Sequence, residues 1–331
     1  MMAWLVALIL PALVSAITIE GLRRSQVSTA LADLPNERSL HERPRPRVGG
    51  LGLVAGAFPV AFALSGMELV WPLGLALGLA VLSYLDDRQS LPIVVRLPAH
   101  FACAAAVVLV SAGAAPWWLV VVAIGAIAWM TNLFNFMDGA DGLAGGMGLA
   151  GFATLAAAAA LAGDRATAWT CAALASACFG FLLHNFPPAR VFLGDAGSIP
   201  LGFLAGAIGV QGIARGLWPA WFPLVAFAPF IVDASATLVR RAARGEAFWR
   251  AHRTHAYQRL VLGGWSHRRL ATFAYALMSL SSVCALWALY RDGTGRWAII
   301  SGWTAALLLL YGALELKLGR SAPPSLPGQD R

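Results

Sequence analysis

Apolar residues run along nearly the whole of this chain in long blocks broken by short polar segments. A bilayer core takes about 20 apolar residues per helix. By that criterion eleven spans are expected, at 2–20, 48–66, 69–85, 95–113, 116–135, 144–163, 166–184, 198–214, 218–239, 269–290 and 296–316. Helices are the expected element, because a spanning segment must satisfy its backbone polar groups within itself. Composition agrees: of 331 residues 59% are hydrophobic and 12% charged, and the mean hydropathy is +0.70, more apolar surface than a soluble core of this size could hide. The expectation is one all-α polytopic membrane domain over residues 1–331.

The first block, MMAWLVALILPALVSAITIEGLRR, contains VSA, which resembles a cleavage site. No basic segment precedes it, however, and Arg23 and Arg24 follow the apolar run, so a retained first helix with its N-terminus outside is expected. Cys103, Cys171, Cys178 and Cys284 all fall inside spans without CxxC spacing. They indicate neither a disulfide framework nor a zinc site.

Eleven spans from an outside N-terminus place the loops near 21–47, 84–96, 136–143, 185–197 and 240–268, and the tail 317–331, on one side. In or beside them lie 20 of the 24 Lys+Arg; only Arg165, Arg215, Arg291 and Arg296 remain for the other side. By the positive-inside rule that side is cytoplasmic, which makes the N-terminus periplasmic and the C-terminus cytoplasmic. The net charge of +8 follows from topology, although anionic lipid headgroups and phosphorylated substrates are also drawn to such a face. Nucleic acid has no place in this account.

Topology also sorts the acids. Asp86 and Asp87 (SYLDDRQSLP), Asp138 and Asp141 (NFMDGADGL) and Asp195 (VFLGDAGS) lie at the cytoplasmic ends of three spans. A single interfacial Asp is as readily a helix cap as a ligand, but five on one face point to a polar cavity. Glycines beside them, in GADGLAGG and GDAGS, let backbone N–H groups approach a phosphate. Neither loop is a Walker motif or a dinucleotide fingerprint. Carboxylates with amides suit a hard cation, and Mg²⁺ completed by substrate phosphates is the expected metal, with Mn²⁺ a substitute. Asn132, Asn135 and Asp138 step by three along one face of a helix end. Asn185 precedes Asp195 by ten residues across Pro187-Pro188, with Phe192 between them as core aromatic or base-stacking platform.

Loop 240–268 supplies His252, Arg253, His255 and Arg259, suited to a diphosphate or sugar or to an anionic lipid surface. HERPRPRVGG carries Arg47 next to the membrane, as basic anchor or phosphate-binding entrance. Asp233 lies inside the ninth span about 10 Å from its cytoplasmic end, a costly position unless it faces the cavity. His100 and His184 are expected to be structural.

These motifs together resemble the polyprenyl-phosphate N-acetylhexosamine-1-phosphate transferases, the glycosyltransferase 4 family of MraY and WecA types. The match runs from PRVGG through DDR, NLFNFMDGADGLAGG and HNFPPARVFLGDAGS to HRTHAYQRL, most of the chain. The resemblance implies a multi-pass enzyme of the bacterial cytoplasmic (inner) membrane. There undecaprenyl phosphate attacks the sugar-bearing phosphorus of a UDP-N-acetylhexosamine and UMP is released. It implies Asp195 as metal ligand with Asn135 assisting, and Asp138, Asp141, Asn185 and Phe192 on the uridine diphosphate. It also implies Asp86 and Asp87 at the lipid phosphate, His252 and His255 in the catalytic loop, and Arg47, Asn132 and Arg253 as substrate contacts. A homodimer is a further expectation.

Two departures from the family pattern bear on chemistry and specificity. Many relatives carry a Lys shortly after the paired Asp; in DDRQSLP that charge falls to Arg88 or Arg96. The HRTHAYQRL run differs from the HxHH and His-triplet forms, and looks more like O-antigen-initiating enzymes that use 6-deoxy sugars such as N-acetylfucosamine or N-acetylquinovosamine. N-acetylglucosamine and, less in keeping with the loop, the phospho-MurNAc-pentapeptide transfer of peptidoglycan synthesis stay open. A secondary transporter would place its acids near the midplane of repeated halves. Here they cluster at one face.

Overall fold

The computed structural model describes residues 2–34, 40, 44–89, 91–111, 113–247 and 252–319. Of the basic residues used to orient the chain, Arg38, Arg43, Arg250, Arg320 and Arg331 lie outside that set. The described chain forms α1 (Met2–Arg24), α2 (Val27–Ala30), α3 (Gly49–Leu64), α4 (Met67–Gln89), α5 (Ile93–Ser111), α6 (Trp117–Phe136), α7 (Leu143–Leu161), α8 (Arg165–Asn185), α9 (Asp195–Ala214), α10 (Trp221–Ala226), α11 (Ala228–Ala243), α12 (Ala256–Leu262), α13 (His267–Leu289) and α14 (Gly293–Gly319). A two-residue antiparallel ladder pairs β1 (Ala32–Asp33) with β2 (Arg45–Pro46).

Nine of the described helices are long and apolar enough to cross a membrane: α1, α4 to α9, α13 and α14. Two of the eleven expected spans depart from that length. The second becomes α3, whose 16 residues reach about 24 Å, short of a hydrocarbon core of about 30 Å. The ninth breaks at Phe227 into α10 and α11. Pro229, in the first turn of α11, lacks the N–H that would continue α10, and its ring would clash with the preceding turn.

α9 is the central post, with 89% of its most apolar window buried, whereas α14 at the rim buries 11%. It packs on α4 and α6, and more lightly on α3 and α5. The crossing with α3 is a glycine contact: a Cβ on Gly50 would lie 2.4 Å from the Gly197 backbone nitrogen, so neither position has room for a side chain. Ahead of the crossing, the N–H groups of Gly49 and Gly50 donate to the carbonyls of Phe192 and Leu193. The strand-like approach to α9 therefore satisfies the otherwise orphaned first N–H groups of α3. This fastening sets the start of α9, and with it Asp195, against the end of α4.

Candidate active site

Four carboxylates come together where α4 ends, α6 turns into α7 and α9 begins. Asp87, at the last turn of α4, accepts from the Ala196 N–H at 3.3 Å and from the Asp195 N–H, so a side chain of one helix caps the N-terminus of another. Its other oxygen lies 3.4 Å from Arg47, whose guanidinium also holds Asp33 at 2.5 Å. Asp86 accepts from the Leu91 N–H at 2.6 Å and from Arg96 at 2.6 Å. The same guanidinium nitrogen of Arg96 lies 3.6 Å from Asp195. The Asn135 side chain hydrogen-bonds Asp195, and Asp138 accepts from the Gly194 N–H.

Exposure separates these acids. The side chains of Asp86 and Asp87 are 7% and 4% exposed, while that of Asp195 is 29% exposed. Asp195 is thus more open than the two acids of α4. Burial, then the negative charges of Asp195 and Asp87, push the Asp138 carboxyl well above the ordinary carboxylate range. Two arginines facing this many acids leave the site short of positive charge. Hard oxygen donors in negative excess fit a divalent cation such as Mg²⁺. Among the described residues no three His, Cys, Asp or Glu side chains form a ready-made metal cage. Asp195 and Asn135, hydrogen-bonded to each other, are the residue pair that could hold such an ion.

Asp141 and Asn185 lie close by but are turned inward. Asn185 is 4% exposed; its amide accepts from the Gly142 N–H at 2.8 Å and donates to the Val191 carbonyl at 2.9 Å. Asp141, 5% exposed, accepts from the Ala189 N–H at 2.9 Å and faces His267 at 3.3 Å and Arg45 at 3.5 Å. Burial alone would raise the Asp141 carboxyl. The hydrogen bonds of His267 and the Ala189 N–H, with the charges of His267 and Arg45, hold it below its ordinary value instead. Both side chains, expected at the uridine diphosphate, brace the DGADG and HNFPPAR loops against each other. Phe192 is half-buried with the Arg45 guanidinium over its ring at 5.6 Å, and Arg45 also donates to the Ala189 carbonyl. Asn132 lies one turn deeper than Asn135, bonded to the Ala128 carbonyl at 2.7 Å and to His100 on α5. It is separated from the acids by that turn.

The His-bearing loop arrives from the other side. His255 is 2% exposed, stacked on Phe136 at 6.2 Å and Tyr257 at 5.9 Å, with His252 4.9 Å away. Burial, followed by the charges of His255, Arg241 and Arg240, pushes the His252 imidazole down to about 4. Arg253 is half-buried on the same loop. Arg259 lies beyond it, paired with Glu315 on α14 at 2.5 Å, a tie that holds the rim helix rather than the acids. Arg88 reaches Tyr84 at 3.4 Å, so Arg96 and not Arg88 stands at the acid cluster. His184 bonds the Ala16 carbonyl, a structural role as expected.

Sequence reasoning missed Asp33, Arg45, Tyr257 and His267 as parts of this site. Asp33 carries no signal in its local sequence. Tyr257 had one: it sits inside the HRTHAYQRL run.

Residues 69–213, from α4 through α9, match the profile of Glycosyl transferase family 4. All four clustered acids fall inside that stretch and the His-bearing loop falls outside it. The chain is 27% identical over 302 residues to the probable undecaprenyl-phosphate N-acetylglucosaminyl 1-phosphate transferase of Bacillus subtilis strain 168, covering 85% of this chain and 84% of that one. It is 29% identical to the decaprenyl-phosphate N-acetylglucosaminephosphotransferase of Mycolicibacterium smegmatis, with 85% and 81% covered. It is 30% identical over 279 residues to the phospho-N-acetylmuramoyl-pentapeptide-transferase of Synechococcus sp. strain RCC307, with 71% and 74% covered.

Proposed function

Because this chain belongs to the polyprenyl-phosphate N-acetylhexosamine-1-phosphate transferases of glycosyl transferase family 4, we propose that it transfers an N-acetylhexosamine 1-phosphate from a UDP-N-acetylhexosamine to undecaprenyl phosphate, releasing UMP. The observation that carries the proposal is the placement of Asp195, more open than the two acids of α4, between Arg96 and Asn135 at the N-terminus of α9. An oxygen of the lipid phosphate forms a bond to the sugar-bearing phosphorus while the bond from that phosphorus to the UMP oxygen breaks. A phosphate monoester is already largely dianionic near neutral pH, so no base is required to deprotonate it.

The protein's task is then positioning and charge. Arg96, held in place by Asp86, and Arg47, held by Asp33 and Asp87, present guanidinium groups suited to phosphate oxygens. Asp87 fixes the first N–H groups of α9 and hence the direction of Asp195. Burial and the negative charges of Asp195 and Asp87 hold Asp138 above the ordinary carboxylate range. A bound Mg²⁺ would neutralise the diphosphate and stabilise the UMP leaving group. His252, neutral at pH 7, meets a sugar or base as a hydrogen-bonding imidazole rather than as a charge. Asp141 and Asn185 act from behind by holding the loops.

The proposed setting is the bacterial cytoplasmic membrane with the acid cluster on the cytoplasmic side, from the bias of Lys and Arg toward the loops at that end. The proposed donors are N-acetylglucosamine or a 6-deoxy-N-acetylhexosamine, for initiation of an O-antigen or related envelope polysaccharide. Purified protein given undecaprenyl phosphate and a panel of UDP-linked N-acetylhexosamines is expected to release UMP, to stop when EDTA is added and to resume with Mg²⁺ or Mn²⁺. UMP from UDP-MurNAc-pentapeptide alone would shift the reading to peptidoglycan synthesis, and none from any donor would sink it.

A further inference from the structure

We infer that Asp233, on α11, is a positioning residue that sets discrimination between donor sugars by docking the segment His252–Tyr257 onto the Asp138 loop. The inference rests on the transferase reading above. Asp233 is 9% exposed and lies in a stretch apolar enough to have been expected to span the bilayer, where a carboxylate is costly unless fully partnered. Its partners are specific. One oxygen accepts from the Ala256 N–H at 2.8 Å and the Thr237 hydroxyl at 3.2 Å; the other accepts from the Tyr257 N–H at 3.1 Å. The His255 ring nitrogen Nδ1 lies 3.6 Å from it.

Those N–H groups are the first two of α12, a helix of seven residues. A helix that short does not persist without an anchor. Asp233 therefore decides where α12 begins and, through it, where the two imidazoles sit. A second tie leads to the acids. The Tyr257 hydroxyl donates to the Phe136 carbonyl at 2.9 Å, and a Cβ on Gly139 would lie 2.2 Å from that hydroxyl oxygen. Only the absence of a side chain beside Asp138 lets Tyr257 come so close. His255, sandwiched between Phe136 and Tyr257 with His252 against it, is carried along by both ties. None of the hydrogen bonds that hold the dock is made to Arg96 or Asp86, the residues placed on the acceptor side of the site.

The test uses full-length protein with undecaprenyl phosphate and two UDP-N-acetylhexosamine donors of different efficiency. Asp233→Asn cannot accept both backbone N–H groups in the same way, and it is expected to raise the donor KM about tenfold and to lower the ratio of kcat/KM between the two donors by a similar factor. The KM for undecaprenyl phosphate should stay within about twofold, and Asp233→Glu should recover part of the ratio. Gly139→Ala, which displaces Tyr257 without touching the carboxylate, should move the same ratio in the same direction and serves if Asp233→Asn does not fold. An unchanged ratio in both variants, or equal rises in both KM values, would overturn the inference while leaving the transferase reading intact. A wild-type protein that releases no UMP from any donor would overturn the transferase reading itself, and the inference with it.

Discussion

Removing the guanidinium of Arg96 tests whether the site's charge balance works as drawn. In Arg96→Ala, Asp86, whose side chain is 7% exposed with Arg96 in place, loses the partner at 2.6 Å, and an unpaired buried charge-assisted hydrogen bond costs about 1.5–3 kcal/mol in stability. The contact with Asp195 at 3.6 Å is looser, and both side chains there are about a third exposed, so solvent screening limits its share to about 1 kcal/mol or less. A charge-assisted hydrogen bond from Arg96 to phosphate oxygens in the transition state is worth about 1.5–3 kcal/mol, so its loss should lower kcat/KM by roughly 10- to 150-fold. Arg96→Lys keeps the charge and one hydrogen bond, and should recover about a tenth of wild-type activity. Arg88→Ala is the internal control: Arg88 is exposed and meets Tyr84, and its loss should stay within about twofold. Rates of UMP release at fixed, moderate salt give all three values. Arg96→Ala within twofold of wild type, or Arg88→Ala as damaging as Arg96→Ala, would refute the assignment.

Asp195→Asn retains shape and the Asn135 contact but loses the open anionic oxygen, and turnover should fall at least about 10³-fold with an unchanged thermal melting profile; near-normal turnover would remove Asp195 as principal metal ligand. His252 gives a pH signature. Its folded value of about 4 lies below the unfolded value of about 6.5, so the unfolded chain takes up the proton first. Stability should therefore decline as pH falls from about 6.5 toward 4, by about 1–2 kcal/mol once partial exposure is allowed for. His252→Gln should flatten that part of the melting-temperature curve, and a curve identical to wild type would refute the burial of a neutral imidazole.

The membrane class and most helix positions were legible because long apolar runs have few alternatives to a spanning helix. The two departures had local causes. Pro229 stands inside a block whose hydropathy gives no hint of a break, and α3 begins where the Gly49 and Gly50 N–H groups are taken by the Phe192 and Leu193 carbonyls and ends at Ser65, which turns extended. The acid cluster was legible in outline, since topology alone put Asp86, Asp87, Asp138 and Asp195 at one end of the bundle. What a one-dimensional pattern could not separate was an acid that joins the cluster around Asp195 from one that braces neighbouring loops. Asp138 and Asp141 sit three residues apart in the same glycine-rich loop, yet one meets Asp195 and the other meets the Ala189 N–H. That distinction depends on which distant backbone groups arrive beside each carboxylate, and Asp33, Arg45 and His267 reach the site by the same long-range route.

Helix ends explain why the cluster can exist at all. Four carboxylates gathered without compensation would repel one another strongly in a medium of low dielectric, and the two arginines present offset only part of that. The remainder is met by backbone: Asp87 takes the first N–H groups of α9, Asp86 the Leu91 N–H, and Asp138 the Gly194 N–H. Each of these acids is thereby committed to the protein. Asp195 begins the very helix whose N–H groups Asp87 has taken, and its own carboxylate is left facing outward beside Asn135 and Arg96. On the proposed reading a cation alone would face Arg96 and a phosphate alone would face the acids. Binding of metal and donor should therefore be mutually reinforcing, each tightening the other by the same factor.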